Sequence, residues 1–271
     1  MNPKLKIVRI ADIVSIQKPD PSRIAYWREY FGAREIFPHP VAVASMGKER
    51  YLLLDESSYL AAALEQKLEH IPVQLMILRP NETIDASLVV ESLEESHICQ
   101  FNLCFPRAML VPAAEKRKHY PASFISAAVT FPDQRKLYLD FRRNKEMALN
   151  GYLFYFLNFL ERNFVIRDKA PLSELKSTNL KVSHIETIID FSHLTPDDLL
   201  NAARNGFKFP SGMISVAVGP RLLGIDFPIR VLRERAPLRE KNRFLIDLLN
   251  YRIRSGHPEY FRCGVCLLNR H

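Results

Sequence analysis

The stretch over residues 51–77, YLLLDESSYLAAALEQKLEHIPVQLMI, constrains the fold more than any other part of the chain. A short apolar run ends at Asp55, an alanine-rich helical pattern follows two serines, and a second apolar run begins at Ile71. This order predicts a strand, a helix and a second strand in direct succession. Asp55 then lies where a strand ends, and we expect Ser57 or Ser58 to cap the helix.

The same junction has two interpretations. A serine before a helix most often caps it, because its hydroxyl accepts a hydrogen bond from a backbone N–H group that lacks a partner inside the helix. The alternative is that these N–H groups and the serines hold an anion. The first interpretation makes the junction structural, and the second makes it a ligand site.

Composition limits the class of protein. With 47% hydrophobic and 25% charged residues, the 271-residue chain is typical of a soluble globular protein with one large or two small domains. The longest apolar stretch, over residues 152–160, is too short to span a bilayer, and the first residues lack the apolar region of a signal peptide. Four cysteines are too few for a disulfide scaffold. We therefore expect a cytoplasmic protein without a membrane partner.

The net charge of the chain, +8, allows acidic ligands or weak nucleic-acid binding but selects neither.

Cys263 and Cys266 form a Cys-x-x-Cys pair, a pattern that serves as a metal half-site or as a redox pair. Only His257 and His271 are near in sequence as further ligands. If the segment is the terminal strand, residues three apart point to opposite faces and cannot share a metal. We therefore predict no metal site. The chain also lacks the glycine motifs of P-loop and dinucleotide-binding proteins.

Periodicity predicts the remaining elements. A helix is expected over residues 84–94, an apolar run over 97–103, a strand over 136–141, an aromatic-rich helix over 145–163 and a strand over 184–191. Thr195 followed by Pro196 predicts a helix start, and Gly206 predicts its end. An amphipathic helix over 238–253 and a final strand over 260–268 complete the chain.

Two motifs that flank the junction resemble a known family. FPHPVAV over residues 37–43 is similar to a His-Pro-hydrophobic entry into a strand, and IPVQ over residues 71–74 is similar to a Val-Pro-Val-Gln exit. Together they resemble the ParB/sulfiredoxin-like fold, in particular its free-serine-kinase branch, which includes a serine kinase of siderophore biosynthesis. The resemblance covers residues 5–80 and 184–268. It implies a mixed α/β fold and a phosphotransfer site at the junction.

The catalytic positions that the resemblance implies have changed. The family has Asp-Gly-x-His-Arg where this chain has Asp55, Glu56, Ser57, Ser58 and Tyr59. In that family a histidine pair and an arginine contact the phosphates and the metal. Ser58 and Tyr59 therefore remove positive charge, and Glu56 adds a negative charge that should repel a nucleotide.

The base of the family is also missing from its expected place. A glutamate in the loop before the first helix serves there as the base for the substrate hydroxyl, and counting back from Pro40 puts that place near Gln17. An amide cannot accept a proton at neutral pH. If Gln17 is only a loop residue, the base lies elsewhere, for example at Asp20. The span over residues 209–216 corresponds to a Pro-x-x-Thr-Arg loop that helps to hold phosphate in the family, and it contains no arginine.

The sequence thus predicts a ParB/sulfiredoxin-like domain over residues 1–80, a divergent middle segment over 81–168 and a C-terminal α/β portion over 183–271.

The leading hypothesis is a ligand-responsive regulatory or accessory protein with a degenerate phosphotransfer site, in siderophore or other secondary metabolism. The alternatives are a small-molecule kinase with a rearranged site, which would use ATP or ADP with Mg²⁺ and Asp55 or Glu56 as base, and a DNA-binding regulator. In the latter, the basic residues of the last helix neutralise phosphates, namely Arg239, Arg243, Arg252 and Arg254. The candidate catalytic residues are Asp55, Glu56 and the degenerate Gln17, and the candidate ligand-binding residues are Ser57, Ser58, Tyr59, His39, Ser211 and Ser215.

Overall fold

The computed structural model describes residues 4–80, 84–104, 108–112, 125–141, 152–167, 186–191, 194–216, 220–255, 258–260 and 265–268. The chain forms two compact units. The first contains Met1–Arg79 and Val218–His271, and the second contains Pro80–Ala217. Residues 186–216 therefore group with the middle of the chain, whereas the sequence analysis placed them in the C-terminal portion.

The described elements alternate between strands and helices, and this mixed α/β architecture confirms the predicted fold class. In chain order they are β1 (Lys4–Arg9), a 3-10 helix (Ile10–Asp12), β2 (Ile13–Val14), α1 (Pro21–Arg34), β3 (Ile36–Phe37), β4 (Val41–Gly47), β5 (Arg50–Leu53), α2 (Ser57–Glu65), β6 (His70–Met76), β7 (Ile84–Glu91), α3 (Glu95–Cys104), β8 (Ala108–Pro112), β9 (Ile125–Thr130), β10 (Lys136–Phe141), α4 (Tyr152–Asn163), β11 (Ile166–Arg167), β12 (Glu186–Asp190), α5 (Pro196–Arg204), β13 (Ile214–Val216), β14 (Arg221–Leu223), β15 (Phe227–Pro228), α6 (Ile229–Arg233), α7 (Leu238–Ser255), β16 (Pro258–Tyr260) and β17 (Val265–Leu268).

A five-stranded mixed sheet carries the first unit. Its strand order is β1-β6-β4-β5-β2, with β4 parallel to β6, β2 parallel to β5 and the other neighbours antiparallel. The predicted succession of strand, helix and strand is confirmed as β5, α2 and β6. β3 pairs with β15, and β14 pairs in parallel with β17, so the end of the chain returns to the first unit.

Helix α7 packs on the core of this unit with the apolar face that its sequence predicts. Leu245 is buried, and Leu238, Leu248 and Leu249 pack against the same core. On the same helix, the Asn242 side-chain oxygen accepts a hydrogen bond from Ile7 N at 2.8 Å, and its amide nitrogen donates to Ile7 O at 3.1 Å. The helix thus satisfies backbone groups of β1, which lies at the edge of the sheet.

Lys241 is the most deeply buried charged residue among the described residues, with 2% of its surface exposed. Its Nζ donates to Leu232 O at 2.7 Å and lies 3.4 Å from His70 Nδ1. Because Leu232 is in the last turn of α6, the ammonium group compensates the negative end of that short helix. Burial lowers the pKa of Lys241.

The second unit is an antiparallel sheet in which β7 pairs with β11, β12 and β13. The helix predicted over residues 84–94 is wrong, because this segment is β7. Most residues of β7 are buried, as expected for a strand covered on both faces. The apolar run over 97–103 lies in α3. The strand predicted over 136–141 is confirmed as β10.

Helix α5 begins and ends where the sequence predicts. The Thr195 side chain accepts a hydrogen bond from Asp198 N, and Asp198 Oδ2 accepts one from Thr195 N at 2.9 Å, which is a capping box. Pro196 occupies the first turn. Gly206 has a φ of 69° just after the helix, a left-handed conformation that glycine adopts without strain.

The aromatic-rich helix α4 places Leu153, Phe156, Leu157 and Leu160 in the core. The final strand predicted over 260–268 is instead two antiparallel strands, β16 and β17. Residues 168–182, the basic residues 116–119 and Cys263 lie outside the described residues. No helix in the described part of the chain is long and apolar enough to cross a membrane.

Candidate functional site

Helix α2 begins without a side-chain cap. Its N-cap residue is Glu56, which has a left-handed conformation with a φ of 55° and a ψ of 47°. The backbone N–H groups of Tyr59 and Leu60 donate to Glu56 O at 3.0 and 3.2 Å. The prediction that Ser57 or Ser58 caps the helix is therefore wrong. The resemblance implies a glycine at the position of Glu56, and glycine is the residue that adopts this conformation without steric strain.

The two serines bind the loop before α1 instead. Ser58 Oγ accepts a hydrogen bond from Asp20 N at 2.9 Å, and Ser57 Oγ donates to Lys18 O at 3.3 Å. Asp20 in turn caps α1, where its Oδ1 accepts hydrogen bonds from the first backbone N–H groups of the helix. The structure thus places the loop that holds the buried Gln17 beside the start of α2. Asp20, the alternative base, has the role of a helix cap.

Asp55 forms an ion pair that the sequence analysis missed. Its Oδ2 accepts a hydrogen bond from Arg221 Nη1, and its Oδ1 accepts one from Ala42 N at 3.3 Å. Arg221 Nη2 donates to Pro40 O at 3.1 Å. The Arg221 side chain is 14% exposed and that of Asp55 is 29% exposed. A guanidinium group therefore lies at the strand–helix junction, contributed by a residue 166 positions further along the chain.

Gln74 explains how a residue so distant in sequence reaches the junction. This glutamine is 3% exposed in the apolar strand β6. Its Nε2 donates to Pro220 O at 2.7 Å, and its Oε1 accepts a hydrogen bond from Leu222 N at 2.9 Å. Gln74 thus fixes the backbone on both sides of Arg221. A buried glutamine within an apolar run is the one signal in the sequence that could have indicated a fixed partner here.

His39, Glu56 and Tyr59 form the other side of the junction. The His39 and Tyr59 rings are stacked with centroids 5.2 Å apart, and Tyr59 Oη donates to His39 O at 3.1 Å. His39 Nε2 lies 3.6 Å from Glu56 Oε2. Tyr59 is completely buried, and this burial raises its pKa well above 10, so the hydroxyl group stays protonated. Its ring also contacts Trp27, with centroids 4.7 Å apart.

The junction concentrates charge around one turn, Pro38 to Pro40. Burial raises the pKa of Asp55, the Arg221 guanidinium opposes this increase and the Glu56 carboxylate adds to it. On the other side of the turn, Asp226 N donates to Pro38 O at 3.1 Å, and its carboxylate lies 3.6 Å from Arg252. Arg252 is thus half-buried and paired, unlike the exposed Arg239, Arg243 and Arg254 with which it was grouped.

Three buried side-chain atoms of the first unit make no hydrogen bond among the described residues. In the first unit, the described residues with such atoms are Glu56 at Oε2, Arg221 at Nε and Arg252 at Nε. Because buried polar groups are nearly always satisfied by protein, water or ligand, these three atoms are candidates for contacts with water or a bound molecule.

Ser211 and Ser215 belong to the second unit. Ser211 lies in a turn between α5 and β13, and Ser215 is an exposed residue of β13 that pairs with Asp85 of β7. Their part in a ligand site therefore stays a prediction. The other candidates, Asp55, Glu56, Ser57, Ser58, Tyr59, His39 and Gln17, all lie in the first unit.

Comparison with known proteins reveals the fold. No protein-family model and no curated protein matches the chain. SbnI with a C-terminal truncation, from Staphylococcus aureus, superposes with a TM-score of 0.69 at 16% identity, over 92% of this chain and 97% of that chain. Free serine kinase in complex with AMP superposes with a TM-score of 0.58 at 10% identity, over 86% and 95%. A conserved hypothetical protein from Pyrococcus furiosus gives 0.54 at 10% identity, over 84% and 97%. The fold that the two motifs predicted is thus confirmed, and the chain has the fold of SbnI and of free serine kinase.

Proposed function

We propose that this protein is a ligand-responsive regulatory or accessory protein that keeps the fold of free serine kinase without its phosphotransfer. The observation that carries the proposal is the pairing of charges at the start of α2. Asp55 pairs with Arg221, Glu56 faces His39, and Asp20 caps α1. Each carboxylate near the junction thus has a structural partner, and Gln17 carries an amide where the family has its base.

The absence of a base matters because phosphoryl transfer depends on orienting and deprotonating the nucleophile and on neutralising phosphate charge. At this junction the carboxylates of Asp55 and Glu56 add negative charge, and Arg221 already binds Asp55. A triphosphate would therefore meet repulsion where a kinase needs attraction. Binding of a smaller ligand is compatible with the same groups, since the buried Nε atoms of Arg221 and Arg252 make no hydrogen bond among the described residues.

The structural neighbours supply the first ligands to test. Solved structures of free serine kinase contain AMP or ADP, so adenine nucleotides and L-serine are the first probes to test. We propose that the protein is cytoplasmic and that binding changes how it acts on a partner in siderophore or other secondary metabolism.

Incubation of the purified protein with L-serine and ATP or ADP in the presence of Mg²⁺ tests the proposal directly. We expect no O-phosphoserine by mass spectrometry, with free serine kinase as the positive control. We also expect AMP, ADP, L-serine or O-phosphoserine to raise the melting temperature. Turnover that disappears in Asp55→Asn would refute the proposal.

One observation favours the kinase alternative. The raised pKa of Asp55 brings its carboxyl group closer to the range of a general base, and Glu56 Oε2 has no hydrogen-bond partner. If this alternative holds, Asp55→Asn or Glu56→Gln abolishes O-phosphoserine formation while the melting-temperature shift by nucleotide persists.

A further inference from the structure

We propose that Asp55 is an internal competitor for Arg221, and that a ligand carrying a phosphate monoester binds by displacing the Asp55 carboxylate from this guanidinium group. The inference rests on the proposed function, because it states how a ligand would be recognised and how its binding would be transmitted at the same junction.

Arg221 offers the geometry of an anion site. Its guanidinium group donates one hydrogen bond to the carboxylate of Asp55 and one to Pro40 O. Its buried Nε makes no hydrogen bond among the described residues. Gln74 holds the backbone on both sides of Arg221. A planar guanidinium group with a fixed backbone suits the two-point recognition of phosphate or carboxylate.

Asp55 is held less firmly than Arg221. Its second oxygen makes only a 3.3 Å hydrogen bond to Ala42 N, and its side chain is about twice as exposed as that of its partner. Burial and the neighbouring Glu56 charge raise its pKa, so the ionised form is disfavoured in this environment. An incoming phosphate oxygen can therefore replace the carboxylate oxygen and keep the guanidinium group paired.

The exchange has a structural consequence. Asp55 lies between β5 and α2, and Glu56 after it is the N-cap of α2 in a left-handed conformation. Ser57 and Ser58, the next residues, hold the loop at Lys18 and Asp20. Displacing Asp55 thus acts on the start of α2 and on that loop, and this would convert ligand binding into a conformational change.

The test measures the binding of inorganic phosphate, AMP and adenosine by calorimetry to the full chain and to Asp55→Asn. Because the variant no longer exchanges an existing ion pair for the new one, we expect phosphate and AMP to bind about tenfold more tightly or better. Adenosine, which lacks phosphate, should show no gain. A gain for both AMP and inorganic phosphate identifies the phosphate as the recognised group, and a gain for AMP alone identifies the nucleotide as the ligand.

Asp12→Asn is the matched control. Asp12 pairs with Arg9 in an ion pair whose arginine side chain is 62% exposed, so this variant has the same change in net charge at another place. It should not bind phosphate more tightly. The double variant Asp55→Asn/Arg221→Met should lose the gain. Equal or weaker binding of both AMP and inorganic phosphate by Asp55→Asn, or an equal gain in Asp12→Asn, would overturn the proposal.

If Asp55→Asn does not fold, the parent protein provides a second measurement. Displacement of Asp55 removes the acceptor of Ala42 N–H, so saturating phosphate should shift the amide signal of Ala42 and speed its hydrogen exchange. An Ala42 amide that is unchanged at the highest soluble phosphate concentration contradicts the proposal. Neither measurement depends on turnover, so formation of O-phosphoserine would refute the proposed function without deciding this exchange.

Discussion

Helices α2 and α5 begin in opposite ways, although both follow a strand closely. At α5, Thr195 and Asp198 cap each other's backbone, and Pro196 fits the first turn. At α2, the N-cap Glu56 has a left-handed conformation and makes no capping hydrogen bond. The serines that follow bond to a loop that lies almost 40 residues earlier.

The two helix starts differ in whether they depend on tertiary contacts. A capping box satisfies the first N–H groups of a helix from within four consecutive residues, so the start of α5 is complete by itself. The start of α2 depends on Arg221, which lies 166 residues away from Asp55. Its stability and its ability to bind a ligand thus depend on the same tertiary contact.

The largest expected effect comes from removing that contact. Arg221→Met leaves Asp55 and Glu56 beside each other without a guanidinium group, and we expect the free energy of unfolding to fall by about 2–3 kcal/mol. This is less than for a fully buried pair, because Asp55 is 29% exposed. Urea unfolding measures it, and Arg28→Met, in a largely exposed pair with Glu65, should stay within about 0.5 kcal/mol of the parent. Equal losses in both variants would show that the Arg221 pair adds no stability of its own.

Alanine at the first residues of the two helices tests the comparison directly. Thr195→Ala should lower the free energy of unfolding by about 1–2 kcal/mol, because the capping box is lost. Ser58→Ala should cost about 1 kcal/mol, because Asp20 N loses its acceptor. Ser57→Ala, whose exposed hydrogen bond is 3.3 Å long, should be nearly silent. Thermal and urea melts measure all three, and a Ser57→Ala loss as large as that of Thr195→Ala would show that α2 is capped after all.

The left-handed backbone of Glu56 predicts a smaller effect, in which a substitution to glycine is more stable than a substitution to alanine. Glycine removes the steric strain of the left-handed conformation, so Glu56→Gly should be more stable than Glu56→Ala by about 0.5–1 kcal/mol. Both variants lose the contact with His39, so their difference isolates the backbone. If Glu56→Gly is the less stable of the two in urea melts, the left-handed start of α2 is not a source of strain.

The smallest effect is a pH dependence. The pKa of Asp55 is raised in the folded protein by burial and by Glu56, so the folded chain holds this proton at a pH where the unfolded chain has lost it. The stability that this group contributes is complete below about pH 4 and is lost as the pH rises through the folded-state pKa. Asp55→Asn should remove this decrease from urea titrations between pH 4 and 7, whereas Ser58→Ala should keep it. If the stability of the parent protein depends on pH in the same way as that of Asp55→Asn, the pKa of Asp55 is not raised in the folded protein.

Much of the fold could be predicted from local patterns. The cap and end of α5, the apolar face of α7 and the succession of β5, α2 and β6 each depend on residues within one or two helical turns or on one strand. Such signals reflect backbone hydrogen bonding and side-chain periodicity, which short segments carry themselves. The motifs that flank the junction were enough to predict the fold that the solved structures share.

Local patterns did not predict the parts of the structure that depend on tertiary contacts. Residues 84–91 form a strand because β11, β12 and β13 supply its backbone partners, and an apolar segment buried on both sides does not show the alternation that marks a strand. Ser57 and Ser58 do not cap α2, because the loop at Lys18 and Asp20 offers them other partners.

The candidate site divides in the same manner. The sequence by itself determined that Asp55 ends a strand, that Gln17 carries no base and that Glu56 adds negative charge. Only the tertiary structure decided that Arg221 pairs with Asp55, since a contact across 166 residues leaves no periodic trace in either segment. Gln74 sets that contact by holding β14. The physical reason is that charge pairing acts through space, whereas the patterns that a sequence displays act along the chain.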